Sequence, residues 1–353
     1  MTSTIVQRTE AAKRAVAQAC LVCRAVQKAS GDTARLLKDD RSPVSVADFA
    51  SQAVIAHRLR EALGAVTLVA EEDADALREA LDGGNPTFPN TVLGAVRLVW
   101  PEATLESMLD AIDLGNADPK VDGLHGFWTC DPIDGTKGFL RGQQYAVSLA
   151  WIEGAAPVIG AVGCPNLPMD QSEPLDTPDT AGTLFLALAG DGAFAGPADD
   201  PSGAQTMEKI HRLERDTSSQ IRLCESVEKS HSAHEKHAAI VAGMGFEGEH
   251  TGVRLDSQAK YAVVARGQSD VYLRLPRPPK DPTKGRYIER IWDHAAGAIV
   301  ATECGCAVSD LRGNPLDFSK GVGLESNFGL AVSDPTVHGA VLGACAALGY
   351  DRE

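Results

Sequence analysis

The chain has 353 residues, enough to bury a substantial core and, at about 100 to 200 residues per domain, to form two domains. Apolar residues make up 44% of it and aromatic residues 5%, which is typical of a folded α/β enzyme and argues against a fibrous or disordered chain. The 48 acidic residues outnumber the 33 basic ones, and the net charge of −15 argues against a nucleic acid polymer as partner. A small anionic substrate stays open, because divalent cations can reverse the field of a carboxylate cluster.

The eight cysteines are spread along the chain, which predicts buried free thiols in a reducing compartment. Cys20 and Cys23 form a CxxC, but no second CxxC or paired histidine completes a zinc set. No stretch approaches the roughly 20 apolar residues that cross a bilayer, and residues 1–30 lack the apolar core of a signal peptide. We therefore expect a cytoplasmic protein, with the nucleus as a second location, that acts as a monomer away from membranes.

Helical spacing of apolar residues dominates the first part of the chain. The predicted elements are a helix over 4–29, a helix from Asp48 to about Leu63, a strand over 65–70, an exposed loop over 82–90 and helical structure over 91–113. Asp48 stands where it can cap its helix. The strand over 65–70 ends at Glu71 and Glu72, so an acidic group lies where a strand opens into a loop.

The centre of the chain is predicted to form a strand, a loop and a second strand. The predicted strands cover 126–130, 145–152, 156–162 and 183–189, and an acidic, proline-rich loop over 165–181 is expected to be peripheral. From about residue 155 strands alternate with helical stretches, the last of which begins at Asp293. This alternation predicts an α+β or α/β protein of two lobes, an α+β lobe over 1–154 and an α/β lobe over 155–353.

The segment from Asp131 to Thr136, DPIDGT, carries the strongest chemical signal. Two carboxylates, Asp131 and Asp134, are separated by a proline that stiffens the backbone, so they can converge on hard cations at a strand end. Gly135 permits a tight turn that brings the Thr136 hydroxyl and amide toward the same point. A helix start predicted at these residues would also present amides to phosphate oxygens.

Two further carboxylates can complete this site. Glu71 leaves another strand end, and Asp293 follows Trp292 at a helix start. Each alone is also explained as a surface acid or a helix cap. If the four acids converge, they repel one another and need divalent cations, and oxygen-only ligation favours Mg²⁺ over Zn²⁺.

Seven segments together resemble one enzyme family. SPVSVAD (42–48), EED (71–73), DPIDGTKGFLRGQQYAVSLA (131–150) and WDHAAG (292–297) resemble, in order and spacing, the inositol monophosphatase superfamily of lithium-sensitive phosphatases. EKSHSAHE (228–235), DSQAKY (256–261) and VYLRLP (271–276), with TKGFLRG, resemble its fungal and plant 3′(2′),5′-bisphosphate nucleotidases. The resemblance covers nearly the whole chain and implies a layered αβαβα sugar-phosphatase fold, with most metal ligands in the N-terminal lobe.

The resemblance implies a magnesium-dependent phosphomonoesterase. Its expected reaction is hydrolysis of the 3′-phosphate of adenosine 3′,5′-bisphosphate to AMP, with activity on the 5′-phosphosulfate form and a place in sulfate assimilation. Carried over by position, Glu71, Asp131 and the Ile133 carbonyl hold one Mg²⁺, Asp131, Asp134 and Asp293 hold a second, and a third, weaker ion lies near Glu71. Thr136, oriented by Asp48, is expected to position the attacking water.

The resemblance also implies residues that hold the nucleotide. They are Gly135, Thr136, His231, Ser257, Lys260 and Arg274, where Lys260 and Arg274 can neutralise a second phosphate or stack on the base. Read alone, Lys260 and Arg274 are equally well explained as solvated surface groups, and His231 as a polar loop residue. The loops at 165–181 and 276–286 flank this region, and their role stays open.

Other functions fit the same metal core. An inositol polyphosphate 1-phosphatase or inositol monophosphatase would use the same carboxylates, because these address the metal and phosphate rather than the leaving group. A non-catalytic nucleotide or metal sensor is the alternative of a different class, although all the catalytic residues are present. Inhibition by Li⁺ is expected from the resemblance, and inhibition by Na⁺ stays open.

Overall fold

The structure is a computed structural model, and it describes residues 3–33, 45–121, 125–216, 220–227, 234–246, 251–276 and 286–352. Its helices are α1 (Ser3–Thr33), α2 (Val46–Leu63), α3 (Asp75–Asp82), α4 (Thr87–Val96), α5 (Leu105–Asp113), α6 (Thr136–Leu140), α7 (His234–Gly243), α8 (Ala259–Ala265), α9 (Ala295–Glu303) and α10 (Pro335–Ala347). Its strands are β1 (Leu68–Ala70), β2 (Phe127–Asp134), β3 (Ala146–Glu153), β4 (Ala156–Cys164), β5 (Thr183–Leu188), β6 (Gly192–Pro197), β7 (Glu208–Lys209), β8 (Arg222–Glu225), β9 (Thr251–Arg254), β10 (Val271–Arg274), β11 (Ala307–Ser309) and β12 (Leu330–Ser333).

The first sheet follows the chain in the order β1 to β7. β1 and β2 are parallel and the later neighbours are antiparallel, so a helical crossover joins the first pair and short turns join most of the rest. Helices α1 and α2 pack on one face, where a Cβ on Gly163 of β4 would overlap Cys20 Sγ of α1. Only a glycine allows this close approach of helix and strand.

The second sheet has the order β11-β12-β10-β8-β9 and lies beyond the other face of the first. α8 and α9 form the layer between the sheets, because their apolar residues share one buried cluster with side chains of both. α7 and α10 cover the outer face of the second sheet through a separate cluster. The layers are therefore helix, sheet, helix, sheet and helix, and the predicted αβαβα fold is confirmed.

The structure differs from the expected lobe boundary. Residues 154 and 155 lie in the turn between β3 and β4, which pair along their whole length in the first sheet. The change of sheet falls later, between β7 and β8. A change from helix-rich to strand-rich sequence indicates where helices and strands lie along the chain. It does not show which strands pair in the same sheet.

Three local predictions also differ from the structure. The expected loop over 82–90 includes the start of α4 at Thr87, because Pro89 stands in a first helical turn that needs no amide donor there. The expected helical stretch over 91–113 divides into α4 and α5. The loop over 165–181 is not wholly peripheral, since Leu167 is buried and the Pro168 carbonyl accepts a hydrogen bond from buried Arg266.

Candidate active site

Glu71 and Asp131 lie side by side on two adjacent strands, with Glu71 directly after β1 and Asp131 within β2. β1 and β2 are parallel, and Ala70 pairs with Cys130, so the next residue of each strand reaches the same edge of the sheet. The two carboxyls lie close enough to share a hydrogen bond when one is protonated. The loop after Glu71 is held by Gln52 of α2, whose Oε1 accepts from the Glu72 amide at 3.0 Å and whose Nε2 donates to the Glu72 carbonyl.

A bulge in β2 explains how Asp131 and Asp134 face the same point. In a regular strand, residues three positions apart project from opposite faces. Here Asp131 pairs with Ser148 and Asp134 with Ala146, so three steps along β2 match two along β3. Pro132 cannot donate to the sheet, and its carbonyl instead accepts from Ser51 Oγ of α2 at 2.8 Å. The bulge turns both carboxylates toward one site.

Asp293 reaches this site from the layer between the sheets. It precedes α9, which begins at Ala295, so Asp293 does not cap that helix as the sequence suggested. Its carboxylate interacts electrostatically with Asp134 and Glu71, and Asp131 in turn interacts with Glu71, Asp134 and Asp293. The four carboxylates that the sequence singled out therefore lie together.

Burial and mutual repulsion raise the pKa of these acids. Burial raises the pKa of Glu71 to about 8, with Glu72, Asp48 and Asp134 adding to the effect. Burial and the neighbouring Asp134 and Glu71 raise the pKa of Asp293 to about 7, against the opposing charges of His294 and Arg274. The pKa of Asp131 is raised well above its usual range by burial and by Glu71. Such a cluster is stable in its ionised form only beside a cation.

The donor set fits a hard divalent cation. Asp131 is 2% exposed, and its Oδ1 is buried without a hydrogen-bond partner in the described part of the chain. Buried carboxylate oxygens otherwise almost always have a partner. Glu71 keeps part of its surface exposed to solvent, whereas Asp131 is buried. Oxygen ligands without thiolate or imidazole favour Mg²⁺ over Zn²⁺.

Asp48 and Thr136 lie beside this cluster with separate partners. Asp48 is buried and accepts from the Ser45 amide at 2.8 Å and from Ser45 Oγ at 2.6 Å, in a capping box of α2. Thr136 Oγ1 donates to the Ile133 carbonyl at 3.4 Å. Burial raises the pKa of Asp48 to about 6 despite these hydrogen bonds. Because no hydrogen bond joins Asp48 to Thr136 among the described residues, the expected relay between them stays a prediction.

Gly135 of the DPIDGT segment packs against Ser257, which lies in the loop that precedes α8, here called the α8 loop. Gly135 has φ +86°, and a Cβ there would approach Ser257 Cβ to 3.0 Å. Ser257 itself has φ +70°, a left-handed conformation that is rare outside glycine. The neighbouring Asp256 forms an ion pair with Arg141, which follows the same DPIDGT segment. The expected substrate residue Ser257 is thus held against the expected metal-binding turn.

Lys260 and Arg274 are not solvated surface groups. Lys260 is 2% exposed, and its Nζ donates to the Leu255 carbonyl at 3.4 Å and lies 5.2 Å from the Tyr272 ring centroid. Burial lowers the pKa of Lys260, although Asp134 opposes this. Arg274 lies 2.8 Å from Glu289 and 3.9 Å from Asp293. That surface alternative is therefore wrong for both residues, and His231 lies outside the described residues.

Glu289 and His294 were missed from the sequence. Burial alone would raise the pKa of Glu289, but Arg274 and His294 hold the pKa of that carboxyl well below its usual range. His294 contacts Glu289 at 3.2 Å and the Tyr261 hydroxyl at 2.8 Å. Carboxylate and imidazole atoms of Glu289, Asp293 and His294 lie within 4.8 Å of one another, but the Arg274 ion pair marks this group as a charge network. His294 follows Asp293 in the WDH motif, a signal that could have pointed to it.

The architecture and the carboxylate site define a class of protein. A family model described as the inositol monophosphatase family matches residues 2–344, and the chain belongs to that family. CysQ from Bacteroides thetaiotaomicron shares the fold, with a TM-score of 0.59, 20% identity, and coverage of 92% of this chain and 96% of that one. The inositol monophosphatase from Anabaena also shares it, with a TM-score of 0.60, 16% identity, and coverage of 98% and 97%.

Curated relatives are similar over most of the chain. The 3′(2′),5′-bisphosphate nucleotidase 1 of Candida albicans is 38% identical over 90% of this chain and 89% of its own length. The 3′(2′),5′-bisphosphate nucleotidases of Schizosaccharomyces pombe (89% and 86% covered) and Oryza sativa (95% and 92% covered) are also 38% identical. The resemblance predicted from the motifs is confirmed. None of the described helices is both long and apolar enough to cross a membrane.

Proposed function

We propose that this chain is a Mg²⁺-dependent phosphomonoesterase that removes the 3′-phosphate of adenosine 3′,5′-bisphosphate to give AMP. The observation that carries the proposal is the convergence of Glu71, Asp131, Asp134 and Asp293 in a chain 38% identical to proteins named as 3′(2′),5′-bisphosphate nucleotidases. The same site would remove the 3′-phosphate of adenosine 3′-phosphate 5′-phosphosulfate, because the 5′ group does not take part in the reaction.

Two cations would share Asp131. Glu71, Asp131 and the Ile133 carbonyl would hold one, and Asp131, Asp134 and Asp293 the other, with a third, weaker position near Glu71. When bound, the ions supply positive charge for an in-line displacement at phosphorus and favour ionisation of the attacking water. This charge would also offset the burial and mutual repulsion that raise the pKa values of Glu71, Asp131 and Asp293.

The chain's own residues position the reactants. Thr136, 3.4 Å from the Ile133 carbonyl, would turn its hydroxyl to the attacking water, and ionised Asp48 would accept the proton of that hydroxyl as a hydrogen bond. Gly135, whose positive φ sets the turn, would help to present the Thr136 amide to a phosphoryl oxygen. Because no serine, cysteine or histidine nucleophile is needed, water attacks directly.

Cationic groups next to the carboxylates would hold the rest of the nucleotide. Lys260 lies on α8 and Arg274 at the end of β10, and both interact electrostatically with Asp134. Arg274 is oriented by Glu289, so its guanidinium is already fixed when an anionic substrate arrives. Ser257 and His231 complete the set that the family motifs suggest.

The test compares phosphate release from adenosine 3′,5′-bisphosphate and from inositol 1,4-bisphosphate with Mg²⁺. We expect faster release from the nucleotide, AMP as the product, and inhibition by Li⁺. Preference for the inositol compound would favour an inositol phosphatase instead. Nucleotide binding without phosphate release would identify a sensor and overturn the enzymatic proposal.

A further inference from the structure

Gln258 is a buried glutamine bonded to the segment that carries Asp293, and the sequence motifs assign it no role. It is 1% exposed and follows Ser257 in the loop before α8. Its side chain makes two hydrogen bonds, both to the segment that carries Asp293. Nε2 donates to the Trp292 carbonyl at 2.8 Å, and Oε1 accepts from the Gly297 amide at 2.8 Å.

These two hydrogen bonds contact residues that precede and follow Asp293 in the sequence. Trp292 precedes Asp293, and Gly297 lies in the first turns of α9 after it. Asp293 has no helix-cap bond to hold it, since the N-cap of α9 is His294 and makes no side-chain cap bond. The two hydrogen bonds of the Gln258 side chain therefore hold the turn that carries Asp293, in place of a helix-capping bond.

The loop that carries Gln258 also packs on the turn that carries Asp134. A Cβ on Gly135, the residue after Asp134, would approach Ser257 Cβ to 3.0 Å, and Ser257 precedes Gln258. Gln258 thus holds the Asp293 segment through its side chain from a loop that itself contacts the Asp134 turn. Groups that orient metal ligands in this way commonly change metal affinity by about 10- to 100-fold when they are removed.

We propose that Gln258 is a positioning residue for the second cation, the one held by Asp131, Asp134 and Asp293. The inference rests on the metal site proposed above, but it does not depend on which phosphate ester is the substrate. Gln258 is not among the residues proposed to touch the reacting atoms, so its effect passes through the position of the Asp293 carboxylate. The cation near Glu71 has its own support in Gln52 and is independent of Gln258.

The test is a titration of the metal-free protein with Mn²⁺. The electron paramagnetic resonance signal of free Mn²⁺ measures how much of the ion stays unbound at each step. In Gln258→Met, which keeps the side-chain volume and removes both hydrogen bonds, we expect one class of ions to bind about 10- to 100-fold more weakly. The other class is expected to keep its wild-type affinity. The Mg²⁺ concentration needed for half-maximal phosphate release should rise by a similar factor.

The matched control is Gln268→Met, the same exchange at a glutamine whose Nε2 bonds to the Gln171 carbonyl away from the carboxylates. It should bind both classes like wild type. If Gln258→Met does not fold, Gln258→Leu also removes both hydrogen bonds without adding a charge, and the same weakening is expected. Wild-type affinity in a folded Gln258 variant would overturn the inference alone, whereas wild-type protein that binds no Mn²⁺ would overturn the metal site and the inference together.

Discussion

At the scale of single residues, the site depends on carboxylates whose charges are tolerated only together with cations. In the proposed metal site, burial raises the pKa of Asp134, and Lys260, Arg274 and His294 oppose that rise. The β2 bulge turns Asp134, together with Asp131, toward the site. We therefore expect the charge of Asp134, and not its shape alone, to be needed.

Asp134→Asn keeps the shape of the side chain and removes its charge. We expect kcat/KM for phosphate release to fall by about 10³-fold or more, which corresponds to about 4 kcal/mol, whichever phosphate ester is used. Steady-state kinetics with saturating Mg²⁺ measure this. Asp110→Asn, an exposed acid on α5, is the control and should change little. Substantial residual activity in Asp134→Asn would contradict its role as a ligand.

At the scale of elements, the DPIDGT turn and the α8 loop act as one unit. Gly135 packs against Ser257, and the Arg141 guanidinium forms an ion pair with Asp256. Asp256 is nearly buried while Arg141 is partly exposed, so solvent weakens the pair without removing it. The pair joins the first sheet to the loop that carries Ser257, Gln258 and Lys260.

A double-mutant cycle of Arg141→Met and Asp256→Asn measures this link. We expect a coupling free energy of about 1–2 kcal/mol in the free energy of unfolding, with a higher KM for the nucleotide in each single variant. The Glu10–Lys13 pair on α1 is the control, where a cycle with Gln and Met should give about 0.3–0.5 kcal/mol. Equal coupling in the two cycles would mean that the Arg141–Asp256 pair has no special role in joining the elements.

At the scale of the whole molecule, the site lies where three layers meet. Glu71, Asp131 and Asp134 come from the first sheet, Asp293 precedes a helix of the middle layer, and Arg274 comes from the second sheet. The raised pKa values therefore make the folded state of the metal-free protein sensitive to pH. Folded Glu71 and Glu72 with a pKa of about 8 and Asp293 with a pKa of about 7 keep protons that the unfolded chain has released at neutral pH.

The contribution of these three acids to the free energy of unfolding of the metal-free protein should thus be largest below their unfolded pKa values of about 4 and fall as pH rises to about 8. Mg²⁺ should reverse this loss, with about 2.7 kcal/mol of stabilisation when its free concentration is about a hundred times its Kd. Thermal unfolding at about pH 5 and about pH 8, each with and without Mg²⁺, measures both effects. Glu71→Gln should reduce the pH dependence. A Mg²⁺ effect of the same size at both pH values would contradict the electrostatic account.

The sequence by itself determined the family, the layered fold and the carboxylates that are candidates for metal binding. Motifs such as DPIDGT and EED single out these acids because the residue types and their spacing carry the chemistry locally, and hydrophobic periodicity places them at element ends. The tertiary structure alone decided that Lys260 is buried, that Glu289 pairs with Arg274, that Gln258 bonds on both sides of Asp293, and that the sheets change between β7 and β8. These features depend on contacts between residues far apart in the chain, and no local pattern of polar and apolar residues specifies which distant partners meet.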